Sequence, residues 1–496
     1  MVVGSGAAGL AAALAAAHEG ARVTVLEGDE LIGGTTAISG GMTWAPGHPY
    51  GPNGTADGAL AYLRELATGD VDDALMSVFA HDAGRVVRDI AHRTPITWQY
   101  LPHWPDYHSE LPNGADGGRT IWPDRMVVPA DVARRVRRPL EYARERLEAP
   151  ATDGVAFRGP VRGHSLVASL LMGATAKGVS VRTGARVSGL LHRAGDVTGV
   201  RVDGDEVEGH VVLATGGFQW DRRLSSAFLP SPAVAPLGTP GCRGDGLRMA
   251  MAAGADLGNM TEGWWMPALR VPDEELDGQP FWRCLHTERA QPGSLLVDRT
   301  GRRFTDEAQN YCDVGRAMFR FDAARHAWTA SLCWLVFDAG YRARHPIGPL
   351  EPADPDPPWL KSAPSLEKLA VAAGAAELVA TVERFNDGAR HGIDPDFGRG
   401  SLPYDLWIAG GPTLAPVADP PFYAAEVRLG CLGTKGGPRT DDRGRVLRAE
   451  GSPVNGLYAA GNAMASPFGT ATAGGGSTIG PALVFGTRAG EAAAND

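Results

Sequence analysis

The chain opens with MVVGSGAAGLAAALAAAHEGARVTVLE, residues 1–27. Apolar residues 1–3 predict the end of a strand, the Ala- and Leu-rich run to Glu19 predicts a helix, and residues 22–26 predict a second strand. A strand, a glycine-rich turn, a helix and a strand form a βαβ unit, so this stretch predicts an α/β fold with a parallel sheet. Strands in such sheets usually have about 5–6 residues. Because the first strand is shorter, we expect the natural chain to begin a few residues upstream.

The turn between the first strand and the helix reads G-S-G-A-A-G, residues 4–9. Glycines at this spacing allow a tight turn and a close approach of the backbone to a pyrophosphate, which free N–H groups at the helix N-terminus can hold. An acid at the end of the next strand accepts ribose hydroxyls and disfavours a 2′-phosphate. The residues predicted to bind a dinucleotide are Gly4, Ser5, Gly6, Ala7, Ala8, Gly9 and Glu27.

A second loop, L-I-G-G-T-T-A-I-S-G-G at residues 31–41, is rich in glycine and hydroxyl groups. It is either a plain surface loop or a set of amides and hydroxyls that follows a longer cofactor. The loop resembles the G-G-[ST]-T-x-x-S-G-G segment of flavoproteins of the fumarate reductase and 3-ketosteroid dehydrogenase superfamily, as do L-A-T-G-G-F at 213–218 and G-L-Y-A-A-G-N at 456–462. The resemblance implies FAD as the cofactor. It assigns further cofactor contacts to Gly34, Thr35, Thr36, Ser39, Gly40, Gly41, Val187, Ala214, Thr215, Gly216, Gly461, Asn462, Ser477 and Ile479.

Both ends of the chain contribute to the predicted nucleotide fold. Residues 180–218 alternate apolar and polar side chains and predict the strands of a meander. Between about residue 266 and residue 421 the sequence has more Trp, Pro and Arg and an irregular apolar spacing, which indicates a second domain. The last segment predicts a strand at 456–460 and then an apolar helix. We therefore predict a Rossmann-like FAD-binding domain formed by residues 1–265 and 425–496, with an inserted α+β substrate or capping domain at residues 266–424.

Composition excludes several classes of function. The 496 residues carry a net charge of −10, from 47 basic and 57 acidic residues, without a Lys/Arg-rich run, so nucleic acid is excluded as a partner. Five cysteines without a C-x-x-C pair favour neither a metal site nor a disulfide framework, and they fit a reducing, cytoplasmic setting. No stretch reaches the roughly 18 apolar residues of a membrane-spanning helix, so membrane contact is expected to be peripheral at most.

Three further segments resemble one particular family within that superfamily. The segments G-G-G-S-T-I-G-P-A at 474–482, L-G-T-K-G-G at 432–437 and G-W-W at 263–265 resemble the 3-ketosteroid Δ1-dehydrogenases. In that family a base removes a proton next to a ketone, while flavin N5 takes a hydride from the adjacent carbon. The resemblance therefore implies an FAD-dependent oxidoreductase that acts on the CH–CH group of a small apolar cyclic ketone.

Two tyrosines match the segments that carry the base and its partner in that family. Tyr311 follows R-R-F-T-D-E at residues 302–307, which implies that it is the base. Tyr107 lies in P-D-Y-H and would support it, because a phenol with a reference pKa near about 10 is a poor base unless its phenolate is stabilised. Either tyrosine could instead be a half-buried ring with its hydroxyl in water. His103 and His108 are expected at the surface.

The group that polarises the ketone departs from the family pattern. The family uses a backbone N–H, which corresponds to Gly476, and a third tyrosine, which corresponds to Thr472 in this sequence. A threonine hydroxyl is shorter and less acidic than a phenol, and loss of one oxyanion donor typically lowers the rate by about 10²–10³. The substrate or the activity therefore differs from that of a true steroid Δ1-dehydrogenase.

Two alternatives remain open from the sequence. The first is a flavin-dependent ene-reductase of the fumarate reductase type. Such an enzyme would carry a histidine in the segment that is Thr434–Gly437 in this chain, which speaks against it. In its favour, Arg302, Arg303 or Arg439 could bind the carboxylate of a substrate. Surface arginines near turns are the commoner explanation of those three residues. The chain could also be a flavin-binding relative that has lost catalysis. With no second G-x-G-x-x-G between a strand and a helix, we expect an electron acceptor such as a quinone.

Overall fold

The computed structural model of the protein describes residues 1–124, 126–138, 162–231 and 234–496. Within these residues, two large sheets organise the chain. The first is mainly parallel and is covered by helices, and the second is mainly antiparallel. This combination confirms the predicted α/β class with a Rossmann-like part and an additional α+β part.

The parallel sheet has residues from both ends of the chain at its centre. Its described strands, in order across the sheet, are Arg445–Leu447, Pro453–Ala459, Val211–Leu213, Val2–Val3, Thr24–Leu26 and Ser180–Arg182. The short first strand pairs on both sides, with Val212 and with Val25 as the partners of Val2, and it is buried. All pairs are parallel except that between the first two strands of this order. The predicted closure of the nucleotide fold by the C-terminal segment is therefore correct.

The predicted meander at residues 180–218 is only partly correct. Its first and last strands, Ser180–Arg182 and Val211–Leu213, belong to the parallel sheet. A separate antiparallel sheet contains the three strands between them, Val187–Arg193, Asp196–Val202 and Asp205–Glu208. Alternating side chains are compatible with either kind of pairing, which is why the sequence pattern could not distinguish them.

The first helix, Ala7–His18, is buried along most of its length. It packs against the last helix, Ile479–Asn495, through backbone rather than through large side chains. A Cβ atom added at Gly486 would lie 2.4 Å from the carbonyl oxygen of Ala8, and one added at Gly490 would lie 2.2 Å from that of Ala12. Alanine and glycine at these positions therefore allow the two chain ends to contact each other closely.

The second sheet is built on two long strands. Gly263–Leu276 has 14 residues and Phe422–Thr434 has 13, and they pair in antiparallel fashion. The strand order is Gln279–Cys284, Gly263–Leu276, Phe422–Thr434, Leu332–Phe337 and Ser294–Asp298, with Ala235–Pro236 and Lys361–Ala363 also paired to Phe422–Thr434. The predicted domain limits, after residues 265 and 424, fall inside the two long strands, and the division into domains stays a prediction.

The remaining described elements are short strand pairs and helices. The strands are Thr43–Trp44, Trp98–Tyr100, Thr120–Pro123, Leu257–Gly258, Gly437–Pro438, Phe321–Asp322 and Ala327–Trp328. The α-helices are Gly34–Ile38, Ala56–Leu66, Asp73–Arg93, Ala130–Arg135, Gly163–Ala176, Arg222–Phe228, Asp245–Ala252, Tyr311–Ala317, Ala339–Arg342, Leu366–Ala373, Leu378–Ala389 and Pro403–Ala409, with 3-10 helices at Glu288–Ala290 and Gly461–Ala463. Among the described helices, none has the length and apolar character that crossing a membrane requires.

Candidate active site

A cleft lies at the carboxyl ends of the parallel strands, where ligands bind in open α/β sheets. Most of the residues predicted to bind the cofactor line it. They are Gly4, Ser5, Gly6, Ala7, Ala8, Glu27, Gly34, Thr35, Thr36, Val187, Ala214, Thr215, Gly216, Gly461, Asn462 and Ile479. Segments that are far apart in the sequence thus meet around one space.

Five predicted residues do not line the cleft: Gly9, Ser39, Gly40, Gly41 and Ser477. Two of them shape its walls from behind. A Cβ atom at Gly9 would lie 2.0 Å from the carbonyl oxygen of Gly4, so glycine there allows the helix to approach the turn. The Ser39 hydroxyl donates to the carbonyl of Thr36 at 2.7 Å and accepts from the N–H of Gly41 at 3.2 Å, which fixes the end of the second loop.

Sixteen further residues line the cleft that the sequence analysis did not identify. They are Val3, Leu26, Gly28, Asp29, Ala185, Arg186, Gln219, Thr239, Gly241, Cys242, Asp245, Met249, Leu432, Ala460, Thr478 and Ala482. Several are direct neighbours of predicted residues and could have been found by extending the motifs. The stretch from Thr239 to Met249 carries no recognised motif, and only the fold brings it to the cleft.

Glu27 ties together the loops at one end of the cleft. Its carboxylate accepts hydrogen bonds from the backbone N–H of Ser5 at 2.9 Å, from the Ser5 hydroxyl at 2.5 Å and from the N–H of Asp29 at 3.0 Å. Burial raises the pKa of Glu27, and the hydrogen bonds from Ser5 and Asp29 oppose that rise. A carboxylate has about four acceptor positions. The group can therefore accept ribose hydroxyls in addition to these bonds.

The cleft fits a dinucleotide such as FAD. Gly4 has a φ of +106°, and a Cβ atom there would lie 2.3 Å from the carbonyl oxygen of Ala214, so only glycine permits this turn. Two polar atoms of the lining, Thr215 Oγ1 and Gln219 Oε1, are buried and have no hydrogen-bond partner among the described residues. Buried polar atoms are normally satisfied, so these two indicate where a bound ligand would make hydrogen bonds.

The two predicted tyrosines lie next to each other. The rings of Tyr107 and Tyr311 are 5.5 Å apart between centroids and meet edge to face at 74°. A third ring that the sequence analysis missed, Tyr404, lies 5.2 Å from Tyr107. Tyr311 and Leu432, which lines the cofactor cleft, pack against the same small apolar cluster of Leu237, Met266 and Ala268. The tyrosines are therefore close to the cleft.

Burial and mutual contact control the ionisation of the tyrosines. Burial raises the pKa of Tyr311, and the hydrogen bond with the Tyr107 side chain lowers it. Burial also raises the pKa of Tyr107 well above its ordinary value, and the charge of Tyr311 raises it further. The pKa values of both tyrosines stay above that of a free phenol, and of the two the hydrogen bond favours ionisation of Tyr311, with Tyr107 as the donor.

The backbone connects Tyr107 to the glycine-rich segment near residue 476. The N–H of Tyr107 donates to the carbonyl of Ala473 at 3.0 Å. The preceding carboxylate, Asp106, is 2% exposed and bonds the Arg119 guanidinium at 2.6 Å and the Trp44 indole N–H at 2.8 Å. These contacts fix the Tyr107 segment against the region where the ketone oxygen is expected.

Gly476 and Thr472 each carry a polar group without a hydrogen-bond partner among the described residues. Gly476 has a φ of +95°, and a Cβ atom there would lie 2.5 Å from the backbone of Met42 and Thr43. Among the described residues, no acceptor pairs with the N–H of Gly476. Thr472 is 6% exposed, and its hydroxyl lies beside the Cys312 thiol without a hydrogen bond of ordinary geometry to any described residue. Neither group is therefore committed to another part of the described structure.

The arginines considered for a carboxylate substrate are occupied. Arg303 is buried rather than exposed, which contradicts the expectation of a surface residue, and it bonds both Glu307 and Asp394. Arg302 is exposed and pairs with Glu377. Arg439 pairs with Asp70 at 2.7 Å and Asp256 at 3.2 Å. None of the three is left to hold a substrate carboxylate.

The two histidines beside Tyr107 also differ from each other. His103 is exposed, as expected. His108 is not a free surface group, because its imidazole lies 2.9 Å from Glu110 and 2.7 Å from Asp313. Across the described part of the chain, no group of three or more His, Cys, Asp or Glu side chains is placed to hold a metal ion.

Known proteins resemble this chain over its whole length. The sequence matches the family described as FAD binding domain over residues 1–479. It is 38% identical to the 4-oxocyclohexanecarboxylate 2-dehydrogenase of Sinomonas cyclohexanicum, over 100% of this chain and 93% of that protein. It is 34% identical to the 3-oxosteroid 1-dehydrogenase of Mycobacterium tuberculosis, over 98% and 96% of the two chains. The 3-ketosteroid Δ1-dehydrogenase of Sterolibacterium denitrificans, solved with 1,4-androstadiene-3,17-dione, superposes with a TM-score of 0.89 at 30% identity, over 100% and 98%.

Proposed function

The chain belongs to the FAD binding domain family, and we propose that it is an FAD-dependent oxidoreductase that dehydrogenates a cyclic ketone next to its carbonyl. The observation that carries the proposal is the contact between the buried Tyr107 and the half-buried Tyr311, 5.5 Å between ring centroids, close to the cofactor cleft. FAD, when bound, supplies the acceptor for a hydride. The chain must then supply the base and the groups that polarise the ketone.

In the proposed reaction Tyr311 removes the proton. Its phenolate oxygen takes a proton from the carbon next to the carbonyl, and the electrons of that C–H bond form the new double bond as a hydride leaves the adjacent carbon. Tyr107 donates a hydrogen bond that lowers the pKa of Tyr311 and stabilises the phenolate. The N–H of Gly476 and the hydroxyl of Thr472 would donate to the ketone oxygen, where negative charge develops in the transition state.

The cofactor would lie in the cleft that the glycine-rich turn and Glu27 border. We assign the pyrophosphate to residues 4–9, the ribose hydroxyls to Glu27, and the flavin end to the segment that contains Thr478 and Ile479. The N-terminus of the helix Ile479–Asn495 would then direct its positive end toward a flavin ring that gains negative charge on reduction. Both relatives quoted above are named for ring ketones, an oxocyclohexanecarboxylate and an oxosteroid, which supports this substrate class.

We also propose that a small acceptor such as a quinone reoxidises the flavin and that the protein works in the cytoplasm. Support for the acceptor comes from the sequence, which offers one dinucleotide turn, at residues 4–9, and no second one between a strand and a helix. Support for the compartment comes from five cysteines that are all free thiols. These two proposals concern the electron acceptor and the cellular location, and neither affects the chemistry at the tyrosines.

The test is reduction of the bound FAD by saturated ketones without oxygen. We expect a panel of cyclohexanones and 3-ketosteroids to contain members that bleach the flavin absorbance. Tyr311→Phe should slow bleaching by about 10² or more, because general bases contribute about 10²–10⁴. Tyr50→Phe is the matched control, since its hydroxyl bonds the carbonyl of Val87 and neither residue lines the cleft. If no ketone bleaches a fully flavin-loaded protein, the chain is not a ketone dehydrogenase.

A further inference from the structure

A histidine connects the two segments that carry the active-site tyrosines. His108 follows Tyr107 directly, and its Nε2 lies 2.7 Å from Oδ2 of Asp313, in the helix that begins at Tyr311. Its Nδ1 lies 2.9 Å from Oε1 of Glu110. One imidazole therefore bonds a carboxylate on each of the two segments, and we call this arrangement the His108 clamp.

Asn310 completes the clamp on the side of the helix. Its side-chain carbonyl accepts the N–H groups of Cys312 and Asp313, each at 3.1 Å, and so caps the first turn. Its amide donates to Oδ2 of Asp313 at 2.7 Å. The Asp313 side chain, which contacts His108, and the backbone that positions Tyr311 thus belong to one hydrogen-bonded turn.

The other side of the clamp reaches the glycine-rich segment. The N–H of His108 donates to the hydroxyl of Tyr62 at 3.1 Å, and that hydroxyl donates to the carbonyl of Ala473 at 3.0 Å. The same carbonyl accepts the N–H of Tyr107 at 3.0 Å. A shift of His108 would therefore move Tyr107 relative to both Tyr311 and the region of Gly476.

The clamp is ionic at neutral pH. Burial lowers the pKa of His108, but the hydrogen bonds and charges of Asp313 and Glu110 raise it to about 9. Burial raises the pKa of Asp313, while His108, Asn310 and the nearby charge of Arg316 bring it below its usual range. The described groups that face the imidazole are Asp313, Glu110 and Asn310, and the hydroxyl of Tyr62 meets its backbone. A protonated ring donates from both nitrogens, whereas a neutral ring donates from only one.

We propose that His108 is a positioning residue whose imidazolium sets the separation of Tyr107 and Tyr311, and thereby the hydrogen bond by which Tyr107 stabilises the Tyr311 phenolate. The inference rests on the proposed function of the two tyrosines. When the imidazolium loses its proton, either Asp313 or Glu110 loses a donor. The two segments are then free to separate, and Tyr311 becomes a weaker acid and is less often the phenolate that the reaction needs.

A double-mutant cycle tests whether His108 acts through Tyr107. We expect His108→Gln to slow flavin reduction at saturating ketone by about tenfold with little change in KM, and to change the rate by less than about twofold in a Tyr107→Phe background. His103→Gln, at an exposed position of the same loop, is the matched control. An equal loss in both backgrounds, or no loss in the first, would overturn the proposal.

The pH profile gives a readout that a purely structural role would not affect. The ratio of the wild-type rate to the His108→Gln rate should fall from about tenfold toward one as the pH rises through about 9, where His108 loses its proton. The ratio is measured because the rate of each protein alone also follows the ionisation of Tyr311. In an Asp313→Asn background, which lacks one carboxylate, the same ratio should fall at lower pH. A ratio that does not change with pH, or that falls at the same pH in the Asp313→Asn background, contradicts the clamp.

Failure of the proposed function can be told apart from failure of the clamp. If no ketone reduces the flavin of the wild type, the dehydrogenase assignment fails, and the clamp is then tested without turnover. With selectively labelled tyrosine, the NMR ring signals of Tyr107 and Tyr311 at pH 7 should shift in His108→Gln, and the wild type should undergo the same shift as the pH rises through about 9. Tyrosine signals that stay unchanged in the variant and across this pH range would sink the clamp on their own.

Discussion

Thr472 occupies the position where the related dehydrogenases are expected to have a tyrosine, and its hydroxyl is buried without an ordinary hydrogen bond to a described residue. We predict that Thr472→Val, which keeps the shape and removes the hydroxyl, slows flavin reduction by about 10² through loss of an oxyanion donor. Thr440→Val is the control, because Thr440 is also buried and also lacks a partner among the described residues. Equal rates for Thr472→Val and the wild type would leave Gly476 as the sole donor.

Single residues also mark the limit of what the sequence could predict. The contact between Tyr107 and Tyr311 was expected because each follows a recognisable segment. Tyr404 was missed, since a lone tyrosine in a short helix carries no local pattern, and His108 was wrongly expected at the surface, because nothing near it in the sequence reveals its partner Asp313. Arg303 was expected at the surface because arginines usually are, yet two acidic partners, Glu307 and Asp394, make its burial possible.

The packing of the first helix against the last gives a prediction at the level of elements. A Cβ atom at Gly490 would lie 2.2 Å from the carbonyl oxygen of Ala12, so Gly490→Ala must push the two helices apart. We expect the free energy of unfolding to fall by about 1–3 kcal/mol, the usual effect of overpacking, together with weaker FAD retention. Urea denaturation measures the first effect and flavin absorbance after gel filtration the second.

The matched control for this substitution is Gly189→Ala. Gly189 lies in the strand Val187–Arg193, has ordinary backbone angles, and offers open space to a Cβ atom. Alanine there should leave stability within about 0.5 kcal/mol of the wild type. Should Gly490→Ala unfold at the same urea concentration as this control, the two helices would be less tightly packed than the structure indicates.

Elements were predicted well where one local pattern determines them. The βαβ opening and the final helix follow from residues 1–27 and from the glycine-rich segment before Ile479. The pairing of strands was predicted less well, because alternating apolar and polar side chains do not reveal which strand pairs with which. Residues 180–218 were expected to form one meander, but the three middle strands form a sheet of their own. The long strands Gly263–Leu276 and Phe422–Thr434 were missed because their buried faces interrupt the alternation.

A buried charge network supports the fold of the whole molecule around the second sheet. Glu307 is 0% exposed and accepts from Arg303 at 2.7 Å, from Arg399 at 3.2 Å and from the N–H of Leu296 at 3.1 Å. Glu307→Gln leaves two buried guanidinium groups without their shared anion. We expect a loss of about 3–5 kcal/mol in the free energy of unfolding.

The pH dependence of this network follows from the direction of the Glu307 shift. Burial raises the pKa of Glu307, but Arg303 and Arg399 bring it below its usual value. Its contribution is therefore complete above the ordinary pKa of a glutamate and is lost as the pH falls through the lower pKa of the folded state. Urea titrations at several acidic pH values should show this loss in the wild type and not in Glu307→Gln. Glu377→Gln, which removes a partly exposed partner of Arg302, should cost about 0–1 kcal/mol.

The central strand Val2–Val3 has consequences for synthesis of the protein. The sheet around this strand needs Pro453–Ala459, which pairs with Val211–Leu213 and is synthesised much later. The helix Ala7–His18 likewise precedes by most of the sequence the helix that covers it, Ile479–Asn495. We therefore expect the nascent chain to expose an apolar helix until Ile479–Asn495 has been made, to depend on a chaperone during that time, and to bind its flavin only afterwards.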